Sequence, residues 1–152
     1  MKYTVVAFLV LFLTACSSDD TPTIADFREA NDKEINDYIT ANNLNAEKSN
    51  TGLYYVIDEP GTGTQPTVTD NVTVAYKGYF TNKNVFDESN VEGVSFGLQQ
   101  VIAGWTEGIT YFKEGGSGIL LIPSHLAYGS TGRGTIPGGA VLIFDVHLIS
   151  VN

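Results

Sequence analysis

Val72-Thr73-Val74-Ala75-Tyr76-Lys77-Gly78-Tyr79-Phe80 is the stretch that decides the fold. Val72, Val74, Tyr76, Gly78 and Phe80 alternate with Thr73, Ala75, Lys77 and Tyr79, which is the period of a strand with one buried face. The same period extends outward on both sides. Leu53 to Ile57 reads as an apolar strand closed by the turn Pro60-Gly61-Thr62-Gly63. Val94 to Leu98 is a further short strand, and Gly118 to Ile122 is a continuous apolar one. Ala140 to Val151 closes the series, with Leu142, Phe144, Val146 and Leu148 on one face. Between these strands the only helical candidate is Trp105 to Phe112, where Trp105, Ile109 and Phe112 share a side and Gly115-Gly116 ends the run. Tyr128 to Gly139 is a glycine-rich loop. Several antiparallel strands and one short late helix make an α+β domain.

Toward the N-terminus the period changes. Ile24, Phe27, Ile35, Tyr38 and Ile39 recur at helical spacing, and Thr23-Ile24-Ala25-Asp26 resembles an N-cap with an acid at its third position. A helix is expected from about Ile24 to Asn42, stopped by Asn42-Asn43, either packed on the following domain or paired with a second copy. Cys16 to Glu47 holds eight acids and two bases, so this segment is strongly acidic. Cys16 to Pro22 is a polar tether without an apolar anchor.

Before the tether, Thr4 to Ala15 is an apolar run of 12 residues behind Lys2. It falls short of the ~20 residues that span a bilayer and reads as the core of a secretory signal peptide over residues 1–15. Leu13-Thr14-Ala15-Cys16 resembles the bacterial lipobox, in which the Cys thiol receives a diacylglycerol. Lipidation of Cys16 would account for the single cysteine of an exported chain, which otherwise is a reactive liability. Ser17 resembles the outer-membrane sorting choice of Gram-negative lipoproteins. Ser18-Asp19-Asp20 resembles a surface-export signal of the Bacteroidetes. The expected location is therefore the cell envelope, on a lipid anchor, facing periplasm or exterior.

Composition removes several functions. The 152 residues carry a net charge of −9, which argues against a nucleic-acid partner. One Cys rules out a disulfide framework and a Cys-based zinc site, and two His leave little for other metals. Ser124 and His125 are neighbours, so they cannot act as nucleophile and base across a site. Gly115-Gly116-Ser117-Gly118 runs into a strand with no Lys-Ser after it, unlike a phosphate loop. What remains is a set of aromatics, Tyr76, Phe86, Phe96, Trp105, Tyr128 and Phe144, that composition alone would place in the core.

The motifs around those aromatics carry more. Val74-Ala75-Tyr76-Lys77-Gly78, Val85-Phe86-Asp87-Glu88-Ser89 and Val101-Ile102-Ala103-Gly104-Trp105-Thr106-Glu107-Gly108 closely resemble the FKBP-type (macrolide-binding) prolyl isomerases. So do Ile122-Pro123, Ala127-Tyr128-Gly129, Ile136-Pro137 and Leu142-Ile143-Phe144-Asp145-Val146. The resemblance runs from about Thr51 to Asn152 in the family's order, and the short Phe96 to Val101 spacing is similar to the macrophage infectivity potentiator branch. It implies an isomerase domain over residues 48–152, a five- or six-stranded antiparallel sheet wrapped across one short helix. It also implies a pocket with Trp105 as floor and Tyr76, Phe86, Phe96 and Phe144 as walls. Val101 and Ile136 add aliphatic sides, Ile102 a backbone N–H, Tyr128 a hydroxyl, Asp87 a rim carboxylate and Gln100 a backbone carbonyl. The implied partners are proline-containing polypeptides and macrolides such as tacrolimus or rapamycin, and no cofactor or metal is required.

Three departures from the family stand out. Ser89 to Val94 lacks the Arg that often accompanies the rim Asp. Thr135 stands where many relatives have an aliphatic residue, and Gly138-Gly139 replaces a proline-containing pair, which implies a more polar and flexible loop over the pocket. Two functions fit this pattern: catalysis of X-Pro rotation in exported proteins, or a non-catalytic module that holds proline-containing chains for an envelope machinery such as gliding or adhesion. Because every family motif lies after Thr51, residues before about Lys48 are expected to be dispensable for catalysis.

Overall fold

In the computed structural model of the chain, residues 26–152 are described. The leader, Cys16, the tether and Thr23 to Ala25 lie outside the described residues. The first helix, α1 (Arg28–Ala41), starts later than the apolar spacing suggests. Asp26 and Phe27 precede it, and the Asp26 carboxylate accepts the Arg28 N–H at 3.0 Å. The acid expected inside the first turn is thus a capping group just outside it, where it satisfies one of the helix's unpaired donors. At the other end the Asn42 amide donates to the Tyr38 carbonyl at 2.8 Å, and Asn43 takes a left-handed φ of 52°. The Asn42-Asn43 stop is where the sequence puts it.

Seven strands follow: β1 (Glu47–Lys48), β2 (Tyr54–Glu59), β3 (Asn71–Tyr79), β4 (Val85–Glu88), β5 (Val94–Gly97), β6 (Ser117–Ile122) and β7 (Leu142–Val151). All neighbouring pairs are antiparallel. The sheet order is β1-β2-β6-β7-β3-β4, and β5 also pairs with β3. β4 and β5 therefore lie end to end along one edge of β3, facing Lys77 to Tyr79 and Asn71 to Val74 respectively. β1 and β4 are the strands the pattern reading leaves out. The late helix, α2 (Ala103–Gly108), begins two residues before Trp105 and passes into a 3-10 turn over Ile109–Tyr111.

Alternation on the strands divides the interior in two. Val72, Val74, Leu120, Ile122, Leu142, Phe144, Val146 and Leu148 pack with Trp105, Ile109 and Phe112 on the α2 side. Tyr54, Val56, Tyr79, Leu121 and Ile143 point the other way, against Ile35 and Tyr38 of α1. This second layer explains why Gly118 to Ile122 is apolar without a break: a strand covered on both faces has no solvent side. It also corrects the reading of β3, whose Tyr79 is buried on the face expected to be open. Ile35, fully buried, is worth about 1.5–3 kcal/mol to the docking of α1.

Candidate active site

The cleft forms where β3, the β4–β5 edge and α2 meet. β3 supplies Tyr76, and β4 supplies Phe86 and Asp87, which both reach the cleft because the ladder with β3 is bulged at Phe86. β5 supplies Phe96. A 3-10 turn over Leu98–Gln100 then carries Gln100 to the cleft, and the extended residues Val101 and Ile102 lead into α2. The Ile102 carbonyl accepts the N–H groups of Trp105 and Thr106 at 2.9 and 3.1 Å, which fixes the start of the helix.

Trp105, only 5 % exposed, is the hub. Its ring meets Tyr76 at 5.1 Å, Phe96 at 5.3 Å and Phe144 at 5.2 Å between centroids, all edge to face. Phe144 in turn meets Tyr76 at 6.1 Å and Phe86 at 5.5 Å. Edge-to-face packing sets the positive rim of one ring on the negative face of the next, so the walls brace one another. The resulting cleft has a volume of ≈ 660 Å³.

All the residues expected at the site line this one cleft: Tyr76, Phe86, Asp87, Phe96, Gln100, Val101, Ile102, Trp105, Tyr128, Ile136 and Phe144. Sequence reasoning missed Val94, Ala127, Arg133 and Gly134, which line it too, as does Thr135 of the loop over the pocket. Ser89 to Val94 holds no basic residue, whereas Arg133 reaches the cleft from the later loop. Its guanidinium lies 5.8 Å from the Tyr128 ring centroid, a cation–π placement. That loop also has more order than its glycines imply: Arg133 and Ile136 exchange backbone hydrogen bonds of 2.9 Å, and the Gly139 N–H donates to the Gly129 carbonyl at 2.9 Å.

The polar side chains of the cleft are Tyr76, Asp87, Gln100, Tyr128, Arg133 and Thr135. The Tyr76 hydroxyl donates to the Asp87 carboxylate at 2.7 Å. Burial, reinforced by this bond, pushes the Tyr76 phenol up to about 12, so it stays protonated at neutral pH. The Ser89 hydroxyl accepts the Tyr76 N–H at 2.9 Å and holds the rim segment to β3. His125 is elsewhere, its Nε2 2.9 Å from the Thr51 carbonyl oxygen, and His147 is exposed on β7. The arrangement is an apolar recess with a few hydrogen-bonding groups at its rim.

Residues 62–149 match the family model of the FKBP-type peptidyl-prolyl cis-trans isomerases. The chain is 41% identical over 125 residues to the FKBP-type peptidyl-prolyl cis-trans isomerase FkpA of Aeromonas hydrophila, covering 80% of this chain and 47% of that protein. Among solved structures, FkpA from Escherichia coli superposes with a TM-score of 0.74 at 42% identity, covering 82% of this chain and 59% of the other. A peptidyl-prolyl cis-trans isomerase from Pseudomonas syringae superposes with a TM-score of 0.71 at 31% identity, covering 82% and 95%. The chain spans about half the length of the curated relatives it matches, 47% and 46% for two of them. With its fold, its aromatic cleft and these likenesses in agreement, the chain belongs to the FKBP-type peptidyl-prolyl cis-trans isomerase family.

Proposed function

We propose that the protein accelerates cis–trans rotation of X-Pro bonds in exported polypeptides, by favouring the twisted amide in the cleft. The observation that carries this is the braced ring set of Trp105, Tyr76, Phe96, Phe86 and Phe144 around one recess. Rotation must break amide resonance, a barrier of ~18–20 kcal/mol. The planar amide is polar and well solvated, whereas the twisted one has lost its charge separation. An apolar recess that excludes water therefore binds the twisted form better, which is what lowers a barrier. In this reading the Ile102 N–H and Tyr128 hydroxyl hold substrate carbonyls, and the Gln100 carbonyl accepts from the substrate backbone. Asp87 acts through Tyr76, whose ring forms part of the wall. No covalent intermediate is involved. Macrolides such as tacrolimus and rapamycin would compete for the same recess.

The test is exchange of a short X-Pro peptide followed by NMR, without a coupling protease. Catalytic amounts of protein should broaden the cis and trans proline signals. Peptide binding without faster exchange would replace this reading with that of a holding module. The rate should be nearly flat between about pH 6 and 8, because histidine is the side chain that titrates there and neither His lines the cleft. A bell-shaped profile would instead point to proton transfer. Stability should also respond in alkali. Tyr76 and Tyr111, both pushed by burial up to about 12 from an ordinary 10, stabilise the fold while protonated. That contribution is complete below about pH 10 and is lost as pH rises through about 12, so on the alkaline side Tm from circular dichroism should begin to fall only above pH 10.

The same reading places the protein in the cell envelope, anchored through a diacylglycerol on Cys16 after removal of residues 1–15. Its support is the 12-residue apolar run ending in Leu13-Thr14-Ala15-Cys16. Among the described residues no helix is long and apolar enough to cross a membrane. Cys16→Ser should move the protein from the membrane fraction to the soluble one. An unmodified chain beginning at Met1 in the membrane fraction, found by intact mass, would defeat the anchor.

A further inference from the structure

We infer that Asn31 of α1 is a positioning residue for the cleft, holding both ends of the segment that brings Tyr128 and Ile136 to it. The inference rests on the isomerase reading above and concerns the same site. Asn31 is 2 % exposed. Its amide nitrogen donates to the Gly139 carbonyl at 2.8 Å, and its amide oxygen accepts the Ser124 N–H at 2.8 Å. Ser124 and Gly139 are the two ends of one excursion of the chain. Between them lie Ala127, Tyr128, Arg133, Gly134, Thr135 and Ile136, the whole loop side of the cleft.

The excursion's own hydrogen bonds fix its shape. Gly129 N–H donates to the Ser124 carbonyl at 2.8 Å, Gly139 N–H to Gly129 at 2.9 Å, and Arg133 and Ile136 bond reciprocally. These bonds all start and end within the segment, so they do not set where it sits on the sheet. Besides the β6–β7 pairing of Ile122 with Leu142 and the His125 bond to Thr51, the Asn31 amide does, because it bonds to both ends from an element docked on the opposite face through Ile35 and Tyr38. Asn is a short side chain that offers a donor and an acceptor in one plane, which this bridge needs. Phe27, one turn earlier, rests on the same place. Gly139 has a left-handed φ of 77°, and a Cβ there would lie 2.5 Å from the Phe27 ring. Without the amide, a buried N–H and a buried carbonyl lose their partners, and the neck must shift to find others.

A shifting neck leaves only a fraction of molecules with Tyr128 and Ile136 in place, and apparent affinity falls by that fraction. In the full chain, Asn31→Ala is expected to raise the KM for an X-Pro peptide about five-fold or more, with kcat within about two-fold of the unaltered protein. Hydrogen exchange at the Gly129 and Gly139 amides should quicken by about ten-fold. Phe27→Ala leaves every buried polar pair matched, so it keeps the fold, and it should move KM and exchange in the same direction. Asn36→Ala is the control: its amide donates to the Tyr54 hydroxyl at 2.9 Å, so it loosens α1 elsewhere. It should lower Tm and leave KM and loop exchange alone. Unchanged KM, or quicker exchange without a change in KM, in Asn31→Ala would overturn the inference, as would an equal effect from Asn36→Ala. If Asn31→Ala does not fold, an unchanged Phe27→Ala overturns it. An unaltered protein that binds the peptide without speeding exchange defeats the isomerase reading alone, and peptide Kd then takes the place of KM.

Discussion

Gly78→Ala is expected to lower kcat/KM for an X-Pro peptide by more than ~10-fold, which is over about 1.4 kcal/mol of transition-state stabilisation. Gly78 is buried in β3, between Phe144 of β7 and Asp87 of β4 in register. Its φ is not in the left-handed region, so backbone freedom is not what the glycine supplies. Space is. A Cβ at this position would lie 2.7 Å from the Phe86 ring and 2.8 Å from that of Phe144. Both rings must move, and they are adjoining walls of the cleft. Overpacking of this kind costs about 1–3 kcal/mol of stability, so the variant should still fold, with a lower Tm by circular dichroism. Wild-type kcat/KM in folded Gly78→Ala would mean that the placement of these rings does not govern the rate.

Phe86→Ala tests the same wall by removal and should cost at least ~10-fold in kcat/KM. Phe86 is only partly buried, and its strand pairs with β3 alone, so deleting the ring opens the cleft to water without hollowing the centre of the domain. It also takes an edge-to-face partner from Phe144 and a 4.9 Å neighbour from Phe80. Tyr128→Phe keeps its ring and loses one rim hydroxyl, and should cost less than Phe86→Ala. The reverse order in folded proteins would shift the source of rate from an apolar recess to carbonyl polarisation. The comparison therefore separates two mechanisms that a single variant would confuse.

How far these features were legible in the sequence depended on where each residue's partner lay. β3 and β7 could be read because Val72, Val74, Leu142, Phe144 and Leu148 alternate against one core. β4 could not: it has four residues, and Asp87-Glu88 follow Phe86 at a sheet edge where exposure is normal. The cleft residues were legible through the family motifs, and pattern alone would have left the same aromatics in the core, where Trp105 and Phe144 indeed belong. Arg133 was missed because its approach depends on how the loop folds back, which local spacing does not encode. Asn31 stands four residues after Phe27 and four before Ile35, so helical spacing puts it on the buried stripe of α1. What spacing does not encode is its partners, Ser124 and Gly139, which are 93 and 108 residues away. A positioning role for Asn31 and the expected dispensability of residues before about Lys48 for catalysis exclude one another, and the KM of a folded chain beginning near Asn45 decides between them.

β7 lies between β6 and β3, at the middle of the sheet, although it is the last strand along the chain. Val72 pairs with Val151, and the Asn152 N–H donates to the Asn71 carbonyl at 2.8 Å. A nascent chain emerging from its N-terminal end thus makes β2, β3 and both helices before it has anything to join β3 to β6. Until residue 151 is free, the two halves of the sheet have only open edges toward each other. Closing that gap draws in segments about seventy residues apart, the kind of distant pairing that slows folding to milliseconds or longer. Such a chain cannot complete its sheet during synthesis and locks only when β7 arrives.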